Sequence, residues 1–353
     1  MMPRRTCIAE RGVALLAAML TVTLVATFAA AALWQQWRAV EVETAERARM
    51  QASWVLIGAI DWSRLILRED GRGGGADHLA EPWAVPLEEA RLTSFLASDK
   101  NVSSDALEGL PDAFLSGRIV DAQSKLNVLN LVDGGKPVPA AVAAFTKLFS
   151  RLGLPPQELS AMTASLQRAV PIAATITNTT TTTTTTTGAA TATSTATTSS
   201  QSTNASAPSA DAPLLPQQMA QLVWLGLSRS TVTALEPYIT ILPVRTPINI
   251  NTAGPEVLYA SMPKLDMAGA QRLVSLRTRS HFKTLGEATD KVANAQIVDQ
   301  QQDVSTNYFE ILGKLRLDRT WVEERSLVRR EGLEVTIIWR ERGAGTTNSL
   351  PRP

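Results

Sequence analysis

The run Val13–Leu33 constrains this chain more than any other stretch. It reads VALLAAMLTVTLVATFAAAAL, 21 residues without a charge, a proline or a glycine, so a helix through it rises roughly 30 Å and matches the hydrocarbon core of a bilayer. In front of it Arg4, Arg5 and Arg11 stand against one acid, Glu10. Positive charge before a first span holds that end in the cytoplasm, which puts the rest of the chain on the far side. Three readings of the junction Arg11-Gly12-Val13 are open. Ala30-Ala31-Ala32 offers the small-residue site of a cleaved secretory signal. The apolar run can equally stay as an uncleaved anchor. In the third reading the cut falls between Gly12 and Val13, where a glycine lets a protease approach the backbone closely.

Periodicity bears on that choice. Apolar residues continue at Trp34, Trp37, Val40, Ala48, Ala52, Val55, Ala59, Trp62 and Ile66, which predicts one helix of roughly 55 residues passing from membrane into a soluble unit. A cleaved secretory signal needs no such continuation. Arg68–Asp77 reads REDGRGGGAD, and its four glycines are expected to end the helix. Beyond it, Asp77–Pro86 carries two prolines and one tryptophan, Trp83, the pattern of a surface loop pinned by one aromatic side chain.

Further on, GRIVDAQSKLNVLNL, Gly117–Leu131, alternates apolar and polar residues and predicts two short strands with a turn near Ser124. Val138–Val170 turns helical, with a Leu152-Gly153-Leu154-Pro155-Pro156 break that makes a helical hairpin. Nine threonines, Thr179–Thr187, sit in a Thr/Ala/Ser tract with too little apolar surface to offset ordering entropy, so disorder is expected there. Helices are then expected from Pro216 and after Ser230, near Pro255 with Asn251 or Thr252 as its cap, and at Asp266–Arg277 and Leu285–Val292. The tail predicts three antiparallel strands, Asn307–Leu317, Trp321–Arg330 and an alternating Leu333, Val335, Ile337, Trp339 set after the turn Glu331-Gly332. The lower half of the long helix is the natural apolar cover for them.

Composition excludes more chemistry than it suggests. Without residues 1–12 the balance is 31 basic to 32 acidic side chains, which indicates no polyanion-binding surface. Cys7 lies before the apolar run, so a chain cut after Gly12 has no cysteine and no disulfide. His78 and His281 are about 200 positions apart, which argues against a zinc site or a Cys/His pair and gives each a solvated or core-edge role. Gly73-Gly74-Gly75 lacks the lysine of a phosphate loop. Calcium is the one ligand with a candidate site. Asp99, Asn101 and Asp105 alternate oxygen side chains as the first half of a calcium loop does, but Ser104 and Leu110 replace the glycine and glutamate that complete it.

The residues RGVALLAAML followed by a long amphipathic helix resemble the class III signal of type IV pilins and type II secretion pseudopilins. That resemblance implies cleavage after Gly12 by a membrane prepilin peptidase and N-methylation of Val13. Pilins carry glutamate at the fifth mature position, where this chain has Ala17, and the K-type minor pseudopilins are the members that lack it. The Trp83 loop is similar to a K-type segment. So is Gly117, Ile119, Asp121, Gln123, Asn127, Asn130 and Leu131, with Ser124 and Leu126 replacing a glycine and an aromatic. The N-x-N-T-A block from Asn249 onward resembles a helix-hairpin-helix module, although its turn Met262–Met267 has no glycine and includes Asp266. A phosphate-binding hairpin presents free backbone amides, so nucleic acid is not an expected partner.

The resemblance implies an α+β fold, with a pilin-like long N-terminal helix packed on an antiparallel sheet and a large inserted all-helical domain. Along the chain this gives a leader (1–12), the transmembrane and amphipathic helix (13–70), a first pilin-like part (71–131), the inserted domain (132–300, with the Thr-rich tract at about 175–213), C-terminal strands (301–343) and a tail (344–353). It also implies a non-enzymatic role at the tip of a type II secretion pseudopilus, with I-type and J-type minor pseudopilins and the prepilin peptidase as partners. The location would be the bacterial inner membrane, with the bulk of the chain periplasmic, and calcium is a ligand the resemblance allows. The alternative reading is an uncleaved inner-membrane anchored binding protein with a helix-hairpin-helix-like domain, and a secreted enzyme released by signal cleavage comes third.

Overall fold

A computed structural model describes residues 10–93, 113–170, 213–292, 294–298, 300–317 and 320–346. Helix α1, Glu10–Gly73, is 64 residues long, about 96 Å at 1.5 Å per residue. Gly12, Val13 and Ala17 lie in its first turns. From Val13 to Ser53 almost every described side chain is exposed, and the membrane-length segment is not buried against any of the described residues. Lower down, Ala52, Leu56, Ile60 and Leu67 are buried while Val55, Ala59 and Ile66 pack beside them. Each fully buried aliphatic side chain there contributes about 1.5–3 kcal/mol. The apolar face is thus rotated from the one expected, since Trp62 remains 45% exposed.

That face covers a five-stranded sheet. Strands β1 (Leu87–Arg91), β2 (Ala113–Asp121), β3 (Tyr308–Leu317), β4 (Thr320–Glu331) and β5 (Glu334–Thr346) lie in the order β1-β2-β3-β4-β5, all antiparallel. The three C-terminal strands therefore gain two partners, and β5 continues past residue 343 to Thr346. Leu333 is not a strand residue, because Gly332 adopts φ +59° and the two form a tight hairpin turn between Glu331 and Glu334. The strict alternation also breaks. Leu327 pairs with Trp339 but Val328 with Ile337, so one extra residue bulges out and Trp339 moves to the opposite face. There it joins Leu327, Tyr308, Ala122 and Leu242.

The chain leaves the sheet after Asp121 and returns at Tyr308, and Asp121 pairs with Phe309 across β2 and β3. Everything between is a helical body inserted into a hairpin. Its helices are α2 (Pro139–Leu152), α3 (Pro156–Ala169), α4 (Arg229–Leu235), α5 (Pro255–Ser261), α6 (Met267–Arg279) and α7 (Leu285–Lys291). The α2–α3 hairpin turns where expected. Gly153 takes φ +66° and its amide bonds back to Phe149 and Ser150, and Pro156 opens the next helix. The body's core runs from Leu126 to Ala295 and already includes Val128 and Leu131, so it begins before residue 132.

Several local expectations are corrected. The second strand predicted after Ser124 is only Leu126–Asn127, followed by a 3-10 turn over Val128–Leu131, because Asn127 turns its carboxamide onto the Leu129 amide. Met219–Leu225 is likewise a 3-10 helix. Helix α4 starts earlier than expected, capped by Ser228. Gly254, not Asn251 or Thr252, occupies the cap position of α5, since both of those side chains are engaged elsewhere, as described below.

Helix α1 also passes through Gly71 and Gly73 before ending at Gly74 and Gly75, both at positive φ. A side-chain carbon at Gly71 would lie 2.7 Å from the Gly332 carbonyl oxygen, whereas one at Gly58 would meet nothing within 4 Å. Gly71→Ala is expected to lower unfolding stability by about 1–3 kcal/mol. Gly58→Ala, mid-helix and unobstructed, is expected to raise it by about 0.5–1 kcal/mol. Chemical denaturation of the two variants side by side checks both signs.

Candidate functional site

The membrane-distal end of α1, the end of β2 and the start of β3 meet the helical body at one buried polar joint. Asp121 is its centre. One carboxylate oxygen accepts from the Gln123 amide at 2.7 Å and the Thr306 hydroxyl at 2.7 Å, and the other accepts from Asn249 Nδ2 at 3.0 Å and the Thr252 hydroxyl. Four donors thus come from the β2 exit, the N-x-N-T-A segment and the β3 entry. Burial pushes the Asp121 carboxyl up to about 6, against the opposing pull of its bonds to Thr252, Thr306, Gln123 and Asn249.

Around this centre the remaining polar residues of both motifs are spent on backbone. Gln123 donates to the Pro247 carbonyl at 3.0 Å and accepts from the Asn307 amide at 2.8 Å. Asn127 donates to the Val244 carbonyl and accepts from the Leu242 amide, while Asn130 both donates to and accepts from the Thr246 backbone. Asn251 holds the Phe282 backbone from both sides, donating to its carbonyl and accepting from its amide at 2.9 Å each. Arg277 donates to the carbonyls of Ile250, Ala253 and Thr252. In the fold these residues splice chain segments together.

A second layer ties α1 to the sheet. Arg330 of β4 is ion-paired with Asp70 and Asp77, and Asp77 also accepts from the Thr306 amide at 2.7 Å. Glu81 accepts from the His78 amide and from Trp83 Nε1, and Trp83 is buried edge-on against Phe309 at 5.1 Å. The loop is pinned by its tryptophan, as the sequence predicts. Asp70, Asp77 and Glu81 each bring an oxygen within 4.8 Å of the others, a spacing that suits a cation. The Arg330 guanidinium already pairs with two of the three, Asp70 and Asp77. Asp99, Asn101 and Asp105, the calcium candidates, lie outside the described residues, as does the Thr-rich tract.

The hairpin-like turn is built against phosphate binding. Lys147 Nζ from α2 donates to the carbonyls of Tyr259 at 2.6 Å and Met262 at 2.8 Å, and Asp266 accepts from the Gly269 amide at 2.7 Å. Its carbonyls thus face a cation of the chain itself, and a carboxylate takes the helix-end amide that a phosphate would use.

His78 and His281 do not stand apart. Their rings stack with centroids 3.8 Å apart and planes 19° from parallel, which joins the loop after α1 to the turn after α6. Sequence separation is no measure of distance, and no local pattern signals such a contact. The Arg330 pairing was equally invisible, being a contact between segments 253 positions apart.

At the other end of the molecule, Val13–Leu33 is exposed along its length, with Leu33 66% accessible, and Trp34 and Trp37 follow it with ring centroids 5.5 Å apart. Two aromatic rings just past an apolar span suit the headgroup layer of a bilayer.

Comparison with known proteins agrees with this architecture. Two family models, both described as type II secretion system protein K, match residues 124–244 and 248–307, together about half of the chain. The chain is 25% identical to the type II secretion system protein K of Pseudomonas aeruginosa over 354 aligned positions, covering 98% of this chain and 95% of that protein. Its fold is similar to a chain in the crystal structure of the GspK-GspI-GspJ complex from the enterotoxigenic Escherichia coli type 2 secretion system, with a TM-score of 0.59 and 18% identity over 85% of this chain and 98% of that one.

The raised Asp121 carboxyl sets a pH dependence. An acid whose native value lies above its unfolded value of 3.8 binds a proton more readily when folded, so its contribution to stability grows as pH falls through 6 and levels off below the unfolded value. Relative to Asp121→Asn, the wild type should gain about 1 kcal/mol between pH 7 and pH 5 and about 2 kcal/mol by pH 4. Parallel urea titrations at these pH values measure the difference. Removing Arg330 instead, as Arg330→Met, strands two buried carboxylates and should cost about 3–5 kcal/mol at pH 7.

Proposed function

Because the chain belongs to the type II secretion system protein K family, the K-type minor pseudopilins, we propose that it is cut after Gly12, keeps α1 and occupies the tip of the pseudopilus. The observation that carries this reading is the continuity of α1. One uninterrupted helix joins Val13 to the sheet core at Ala52–Leu67, so a cut at Ala30–Ala32 would part the anchor from the rod that holds the sheet, whereas a cut after Gly12 keeps both. In the membrane the basic head stays inside and the sheet and helical body lie in the periplasm.

The tip position follows from two features. Ala17 stands where other pilins carry glutamate, the carboxylate that would pair with the terminal amine of the preceding subunit; a subunit with nothing above it can dispense with it. The helical body joins the fold at the end of α1 farthest from the membrane, through Asp77, Asp121 and Asn249, where its bulk obstructs another subunit docking on top. The E. coli neighbour is named for a complex with GspI and GspJ, and the I-type and J-type minor pseudopilins are the partners we assign here. The prepilin peptidase is the processing partner. The bonds around Asp121 hold chain segments together, and the role we assign is one of assembly.

The test is the terminus and intact mass of the membrane-extracted protein. N-methyl-Val13 supports the proposal, a start near Leu33 means a secreted protein, and a start at Met1 or Met2 means the uncleaved anchor. For the tip role, Asp121 and Phe309 pair across neighbouring strands, so a short turn can replace the helical body without disturbing the sheet. Cells making that variant, or Ala17→Glu, should show altered pseudopilus initiation or length. Normal fibres and normal secretion in both would refute it.

A further inference from the structure

The chain has two histidines in 353 residues, and they are in ring contact. His78 belongs to the loop that follows α1, and His281 to the turn between α6 and α7 of the helical body. The stack therefore bridges the rod-and-sheet unit and the inserted body at the rim of their joint, outside the buried network around Asp121. Beside it opens a cavity of about 280 Å³, lined by both histidines together with Asn251, Arg277 and Arg279, which gives a displaced ring somewhere to go. Next to His281, Asn251 fixes the Phe282 backbone, so the turn is held on one side while the imidazole faces its partner.

We propose that the His78–His281 stack is an acid-sensitive clasp: with His281 neutral, it fastens the helical body to the loop after α1, and protonation of His281 below neutral pH loosens this contact. An imidazolium at His281 is opposed by His78, whose ring lies 3.8 Å away, and by Lys283, while Arg277 and Arg279 line the adjoining cavity. Glu81 and Glu287 favour the charged form of His281, and Asp70 is the acid that faces His78. The balance at His281 is set first by burial, then by His78 and Lys283, and its imidazole is held below the usual 6.5. The sign follows. A histidine depressed in the native state contributes stability that is full above the unfolded value and is lost as pH falls through 6.5 toward the native value. Asp121 runs the other way over the same window, so the buried joint tightens while the rim lets go. The response is local, and the inference stands whether or not the chain occupies a pseudopilus tip.

The test uses the full chain in detergent micelles with histidine-selective isotope labelling, which yields two imidazole signals. The His281 signal should titrate below the usual imidazole value, and should move when His78 is replaced by Phe. Backbone amide exchange at 76–82 and 279–283, corrected for its intrinsic pH dependence, should accelerate several-fold between pH 7 and pH 5. His281→Phe preserves a stacking ring without a titrating proton, and should abolish the acceleration. His78→Phe removes the imidazole that faces His281 and should do likewise, so one poorly folded variant leaves the other to decide. A His281 titration at the usual value, or equal acceleration in wild type and a folded phenylalanine variant, would overturn the clasp.

Discussion

The fold depends on a single buried carboxylate. Asp121 ends the strand from which the helical body departs, and it accepts hydrogen bonds from the segment that departs, the segment that returns and the segment that lies between them. Without it, the Gln123 amide would lose its acceptor, at about 1–3 kcal/mol, and Asn249, Thr252 and Thr306 would keep only their bonds to the carbonyls of Asp77, Asn249 and Tyr308. The sheet and the helical body have separate apolar cores, joined mainly through polar contacts and the small cluster around Trp339 and Leu242. Directional hydrogen bonds fix the orientation of two units where apolar contact alone would leave it loose, and the asparagines of the N-x-N-T-A segment serve that orientation.

Charge is handled by the same rule throughout. Buried ions have partners: Arg330 lies between Asp70 and Asp77, and Glu324, fully buried beneath α1, faces Arg340 and Arg342 on the edge strand. Where the chain must leave polar groups in a tight turn, it supplies its own counter-group, as Lys147 does for the carbonyls of Tyr259 and Met262. The molecule thus uses these ionisable side chains to fasten one chain segment to another.

What could be read from the chain alone was whatever is local or periodic. The apolar run from Val13, the Gly153 break between two helices and the alternation in Tyr308–Leu317 are nearest-neighbour signals, and each element formed where its pattern put it. The family motif around Asp121 was legible as a motif but not as a joint, because its meaning lies in Asn249, Thr252 and Thr306, more than a hundred positions away. Long-range pairing defeated the reading elsewhere too. The bulge that turns Trp339 to the other face depends on its register with Leu327, and the contact between His78 and His281 depends on the whole fold between them. Gly71 looked like a helix breaker and proved to be a contact point, since only the position of the Gly332 carbonyl reveals why a side chain is excluded there.

The placement of the helical body inside a hairpin has a consequence for how such a chain can change over time. Its two ends emerge from neighbouring strands whose partners remain in register from Ala113–Leu317 to Asp121–Phe309, so material added to or lost from the insertion never shifts the pairing of the sheet beneath it. Loop closure penalises extra length only logarithmically. The headpiece can therefore vary in size and composition while the rod and sheet beneath it keep their own pairing.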